Sequence, residues 1–112
     1  MSSLRSLDAR VYPLAQWFIR QLTRMGYQVT VTSTRRSLDE QARLYRNFLA
    51  GRSRFPAAPP GHSTHALGLA FDLTLNPPDY ERAGRLWEAL GLTWGGRFSD
   101  PIHFDVRSRG TA

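Results

Sequence analysis

Two hydrophobic periods, one near 3.6 residues and one of two, alternate along this chain, and their order leaves few architectures open. From Val11 the apolar residues Leu14, Ala15, Phe18, Leu22 and Met25 recur at helical spacing, and Gly26 stands where a C-terminal cap belongs. A helix is expected over about 8–25, with Pro13 in the first turn of its regular part. From Gln28 to Ser33, Val29 and Val31 alternate with Thr30 and Thr32, the pattern of a half-buried strand. Ser37 followed by Glu40 is a capping-box pattern, and Leu38, Gln41, Leu44, Tyr45, Phe48 and Leu49 continue a helix that Gly51 can close. Residues 52–64 carry no period and hold three prolines, which predicts a long loop. Leu69, Phe71, Leu73 and Leu75 then alternate with Ala70, Asp72 and Thr74, so a second strand presents Asp72 away from its leucine face. Asn76-Pro77-Pro78 ends that strand, and Tyr80, Ala83, Trp87 and Leu90 mark a short helix stopped by Gly91. Leu92 to Gly96 reads as a brief strand or turn. Ile102 to Val106 is a last strand, with His103 and Asp105 on one face and Phe104 and Val106 on the other, before a tail from Ser108.

The order helix, strand, helix, loop, strand, helix, strand lacks clear βαβ units. It points to an α+β domain in which helices cover one face of a small, mainly antiparallel sheet. At 112 residues a single domain, 1–112, is expected, and without cysteine its core has to be apolar. The same absence excludes disulfide scaffolds, Cys-ligated zinc, iron–sulfur clusters and thiol nucleophiles. No apolar run approaches the roughly 18 residues of a membrane span, and the N-terminus lacks the order of a signal peptide, so a soluble protein not exported by the usual route is expected. All fifteen basic residues are Arg and the formal charge is +6. A GC-rich coding sequence would give that usage, and so would an anionic partner, either nucleic acid or an acidic polymer such as bacterial cell wall. The arginines are spread through every segment rather than gathered on one face with stacking aromatics, which disfavours nucleic acid.

The chemistry-bearing residues gather late in the chain. His62, His65 and His103 lie in polar, turn-rich surroundings, and His65 and His103 stand near carboxylates. Imidazole and carboxylate are the usual non-thiol ligands of zinc, and a catalytic site takes three protein ligands with one position open. His65, Asp72 and His103 supply such a set, with His62 in reserve. A lone histidine near a turn is more often a surface or capping residue, but the combined pattern weighs against that reading. Asp100, three residues before His103, suits a general base that takes a proton from attacking water, although Asp-Pro also simply initiates turns. Asp105 shares the face of His103 and is the other candidate for that base.

These residues resemble a known family. Ser63-x-His65-x-x-Gly68-x-Ala70-x-Asp72, then Trp94-Gly95-Gly96, then Asp100-x-x-His103-Phe104, is similar to the motif series of the zinc D-alanyl-D-alanine peptidases. Ser33-Thr-Arg-Arg36-Ser37 with Glu40-Gln41 and Leu44-Tyr45 resembles the same family's first block, and the likeness runs over roughly 7–107. Trp-Gly-Gly with an Asp base is most similar to the branch of L-alanyl-D-glutamate endopeptidases found in phage endolysins and bacterial wall hydrolases. The resemblance implies a hedgehog/DD-peptidase-like fold and zinc held by His65, Asp72 and His103, with Asp100 as base. It further implies Arg36 as the group that binds substrate and steadies a developing oxyanion, with Ser63 and Gln41 as substrate contacts. Gly68 would permit the close turn between His65 and the second strand. The chain departs from the pattern in its short length and in Arg35, where an aromatic residue is common.

The function expected is therefore a zinc metallopeptidase that cleaves peptidoglycan stem peptides, between L-Ala and D-Glu or between terminal D-alanines. A monomer is expected that accumulates in the cytoplasm, is released through a holin or another non-classical route, and acts on the wall. Two other classes stay open on the sequence: a catalytically silent peptide- or wall-binding domain on the same fold, and an Arg-rich nucleic-acid-binding domain.

Overall fold

The computed structural model describes residues 4–53, 57, 59, 64, 65 and 67–108. A short 3-10 helix, Leu4–Ser6, precedes α1 (Tyr12–Arg24), β1 (Gln28–Ser33) and α2 (Leu38–Leu49). Then come β2 (Ala70–Asn76), α3 (Tyr80–Glu88), β3 (Leu92–Trp94), a 3-10 turn at Gly95–Phe98, and β4 (His103–Ser108). Local chemistry accounts for most boundaries. Pro13 sits in the first turn of α1, where its missing N–H costs nothing. The helix starts later than the expected residue 8, because Asp8 to Val11 form a turn in which the Asp8 carbonyl accepts from Val11 N–H at 2.8 Å and Tyr12 N–H at 3.0 Å. Ser37 caps α2 by accepting from Glu40 N–H at 3.1 Å, and Asp79 does the same for α3 at Arg82. α3 ends at Glu88, so Leu90, expected on its apolar face, lies beyond it and is exposed. Ser108, expected to begin a tail, closes β4 opposite Leu92, while 109–112 and most of the expected 52–64 loop lie outside the described residues.

The four strands form one antiparallel sheet in the order β1-β2-β4-β3. β2 and β4 are its centre, and their register sets Phe71 opposite Phe104 and Asp72 opposite His103. Successive strand residues point to opposite faces, so this pairing sends two rings one way and two polar side chains the other. On the ring side, α1 contributes Val11, Ala15, Phe18 and Leu22, and α3 contributes Ala83 and Trp87. The Phe18 ring centre lies 4.9 Å from that of Trp87, 5.0 Å from Phe104 and 6.3 Å from Phe71. These tilted and edge-on contacts suit the aromatic quadrupole. The Trp87 indole N–H donates to the Asp105 carbonyl at 2.9 Å, so the polar edge of this large ring is satisfied as it is buried. α2 stands apart. Among the described residues it adds nothing to the core; Leu38, Phe48 and Leu49 are exposed, and its one fully buried residue is Gln41. No described helix is long and apolar enough to cross a membrane.

Phe18 is fully buried among three other rings, and removing it leaves a cavity that close-packed neighbours refill only in part. Phe18→Ala is expected to cost about 3–5 kcal/mol, a large share of the roughly 5–15 kcal/mol typical of a domain. Urea unfolding followed by tryptophan fluorescence measures this directly; a loss below about 1 kcal/mol would show that the core does not centre on Phe18.

Candidate active site

The polar face of the β2–β4 pair carries Asp72 and His103, and a turn at the start of β2 adds His65. That turn is held by backbone bonds from Gly68 N–H to the His65 carbonyl and from Leu69 N–H to the Thr64 carbonyl, at 3.2 and 2.8 Å. Gly68 has φ +73°, and a Cβ there would also sit 3.1 Å from the Asp8 nitrogen, so the glycine expected from the motif is required for both conformation and space. On the other side, the register of β1 against β2 shifts between Val31 and Ser33, an irregularity that swings the chain after β1 towards His65. Arg36 N–H then donates to the His65 carbonyl at 3.0 Å.

Three side-chain atoms meet at one point. His65 Nε2 lies 3.0 Å from Asp72 Oδ1 and 3.2 Å from His103 Nδ1, and His103 Nδ1 lies 3.4 Å from Asp72 Oδ1. The opposite nitrogen of each ring is occupied. His65 Nδ1 lies 2.9 Å from the Thr34 carbonyl, which only accepts, and His103 Nε2 lies 2.7 Å from Asp105 Oδ2. With those outer nitrogens as donors, both neutral rings turn a lone pair towards the carboxylate oxygen of Asp72. Three electron pairs so close together repel unless a cation lies between them. This is the group among the described residues that can hold a metal ion: His65, Asp72 and His103.

The electrostatics follow from the same crowding. Burial alone would raise the Asp72 carboxyl, but hydrogen bonds from His103 and His65 outweigh it and hold the group well below the usual carboxylate range. Burial would lower His103, yet the hydrogen bonds to Asp105 and Asp72 raise it to about 9, so without a metal a proton supplies the missing positive charge. Asp105 is completely buried; its carboxylate, which burial would raise, is held down by His103 and then Arg107.

Asp100 enters from the turn between the 3-10 segment Gly95–Phe98 and β4. Its N–H donates to the Gly95 carbonyl at 2.9 Å and its carbonyl accepts from His103 N–H at 3.1 Å. Burial and then the nearby Asp72 charge push its carboxyl upward, against the opposing pull of His103, His65 and Arg36. The turn is braced by Trp94, whose indole N–H donates to the Pro101 carbonyl at 2.8 Å. A Cβ on Gly84 or Gly96 would collide with the Trp94 indole, and one on Gly95 would collide with the Asp100 carbonyl and come within 2.8 Å of His103 Cβ. The Trp-Gly-Gly run is therefore a packing device that brings Asp100 beside His103.

Arg36 reaches the group through the other carboxylate oxygen of Asp72, with Nη2 to Oδ2 at 3.4 Å, while its Nη1 donates to Gln41 Oε1 at 3.2 Å. Gln41 is 1% exposed, so its place in the structure is behind Arg36, steadying it, rather than on a surface open to a peptide. Arg35 is exposed. His62 and Ser63 lie outside the described residues. One contributor, and the packing role of a motif residue, escaped the sequence reading. The Thr34 carbonyl is backbone and leaves no side-chain signal, and Trp94 meets Gly84 only through tertiary packing.

A family model described as VanY, D-alanyl-D-alanine carboxypeptidase, matches residues 4–89. The chain belongs to the VanY family. The matched stretch includes Arg36, Gln41, His65 and Asp72, whereas Asp100 and His103 lie beyond its end at residue 89. No curated protein sequence matches the chain. Among solved structures, the VanY-family domain is similar to the vancomycin resistance D,D-dipeptidase VanXYg, solved with a D-Ala-D-Ala phosphinate analogue, at 25% identity and a TM-score of 0.68. That likeness covers 91% of this chain and 51% of the other, so the chain spans about half the length of that relative. A variant of the vancomycin resistance D,D-pentapeptidase VanY, in complex with Zn(II), shares the fold at 19% identity and a TM-score of 0.69, over 89% of this chain and 72% of that one. The L-Ala D-Glu endopeptidase ChiX of Serratia marcescens shares it at 23% identity and a TM-score of 0.61, over 93% and 83%.

The close approach at Gly95 gives a test within the VanY-family domain. Gly95→Ala should displace the Asp100–His103 turn and cost about 1–3 kcal/mol, the usual penalty of overpacking. Amide chemical shifts should change from Asp100 to His103 while those of α1 stay in place. Unchanged shifts at Asp100 and His103 would show that Gly95 does not set their positions.

Proposed function

We propose that the domain is a zinc-dependent peptidase that hydrolyses stem peptides of bacterial peptidoglycan. The observation that carries this reading is the triangle of His65 Nε2, Asp72 Oδ1 and His103 Nδ1, with sides of 3.0, 3.2 and 3.4 Å. Ligands about 2.0–2.1 Å from a tetrahedral zinc stand about 3.3 Å apart, so the donor set and its spacing both fit that ion. Three protein ligands also leave the fourth position free, as catalytic rather than structural zinc requires. Membership of the VanY family and likeness to a relative solved with a D-Ala-D-Ala analogue support peptidoglycan as the substrate class. The bond cut is either that between terminal D-alanines or that between L-Ala and D-Glu.

Bound by these three residues, zinc supplies the Lewis acidity that polarises a peptide carbonyl and acidifies water. Asp100 takes the proton of the attacking water on its carboxylate and returns it to the leaving amine. Burial and the Asp72 charge raise Asp100 above the ordinary carboxylate, which makes it a stronger base. Arg36 is fixed by Asp72 and Gln41, and its guanidinium meets the negative charge that develops on the carbonyl oxygen. A guanidinium already held in place gives that stabilisation without reorganising during the reaction.

Elemental analysis of the purified protein should find one zinc per chain, lost in His65→Ala and in His103→Ala. Unchanged zinc in both variants would refute the ligand set, and mass analysis of muropeptides before and after digestion identifies the bond. Asp100→Ala should keep both zinc and fold while hydrolysis falls by roughly 10²–10⁴, the usual worth of general base catalysis. Near-normal turnover would remove Asp100 from that role. Arg36→Lys should lower kcat by about 10²-fold, since an ammonium lacks the planar fork, whereas Arg35→Lys should leave it unchanged. A rise in KM alone for Arg36→Lys would mark a contact made equally in the ground state.

A further inference from the structure

Asp105 takes no part in the proposed proton transfer, yet it is a completely buried carboxylate in the middle of β4. Its surroundings dictate what it does. Oδ1 accepts from Arg107 N–H at 2.9 Å and from Arg107 Nε at 3.1 Å, and Oδ2 accepts from Arg107 Nη2 at 2.8 Å. These groups can only donate, so they keep the carboxylate in its ionised, accepting form. The other partner of Oδ2 is His103 Nε2 at 2.7 Å, which must therefore carry a hydrogen. Asp105 lies on the outer edge of the imidazole, away from the point where His65, Asp72 and His103 meet, and it is 0% exposed. A base for attacking water cannot work from there.

We infer that Asp105 is a positioning residue that fixes the tautomer and rotation of His103, so that Nδ1 faces the metal point with its lone pair. This rests on the reading of that point as a zinc site. The two histidines then ligate through different nitrogens, His65 through Nε2 against the Thr34 carbonyl and His103 through Nδ1 against Asp105. Arg107 matters because it orients the carboxylate: with Nε, Nη2 and its backbone N–H all donating to Asp105, the carboxylate cannot turn away from the ring. Partners of this kind raise ligand basicity and are commonly worth 10–100-fold in metal affinity.

The informative variant is Asp105→Asn, which keeps the shape. With the amide oxygen kept in the place of Oδ1 by Arg107 N–H and Nε, the amide NH₂ takes the place of Oδ2, faces both Arg107 Nη2 and His103 Nε2, and drives the ring hydrogen to Nδ1. Zinc affinity of the folded protein, read by competition with a chelator, should fall 10–100-fold. Nitrogen-15 spectra of labelled histidine in the zinc-loaded wild type give a second readout that needs no variant. His103 should show a slowly exchanging hydrogen on Nε2 and a metal-bound Nδ1. Binding through Nε2, or equal affinity in wild type and Asp105→Asn, overturns this role and leaves the zinc site standing. A wild type that takes up no zinc overturns the site and this role together.

Discussion

The pairing of β2 with β4 is the interaction on which the rest depends. One register places Phe71 across from Phe104 and Asp72 across from His103. Because strand side chains alternate, the first pair has to enter the core if the second is to enter the site, and a slip by one residue would exchange them. Phe18 and Trp87 close over the rings and thereby fix the register that aligns the carboxylate with the imidazole. The stability of the domain and the geometry of its polar centre are two faces of the same few backbone hydrogen bonds.

Around that centre, every buried charge has an answer. Asp72 divides its two oxygens between the histidines and Arg36, and Asp105 divides its own between His103 and Arg107. Glu88, also buried, is bound through both oxygens by Arg97, whose guanidinium lies over the Trp94 ring. Among the described residues no buried side-chain nitrogen or oxygen lacks a partner. Such arrangements cost desolvation and are weak evidence of stability, but each fixes a direction. Here the directions converge on the histidines and the Asp100 turn.

Much of this was legible from period and spacing. Alternation in 69–75 and 102–106 located Asp72 and His103 on the polar faces of two strands, and the Ser37 cap and Gly68 turn were readable because their chemistry is local. The helical spacing of Leu38, Phe48 and Leu49 was equally clear, yet these side chains are exposed, since a period defines a face without saying what covers it. Gln41 was readable as part of a motif, but its place behind Arg36 depends on how α2 leaves the sheet. Asp105 was seen on the correct face of β4, while its work on Nε2 depends on Arg107 two residues further on. The Trp94 brace joins residues on different elements, which no local pattern encodes.

The isolation of α2 has a consequence for how such a domain can diversify. The helix shares no side chain with the aromatic core, yet Gln41 keeps it one hydrogen bond from Arg36. Changes along its outer surface are thus uncoupled from folding while remaining adjacent to the polar centre. Selection can reshape that wall of the site, or lengthen it, without renegotiating the packing that holds the sheet together. The molecule sets a packed mechanical half beside a helix that the aromatic core leaves open, and Arg36 joins the two.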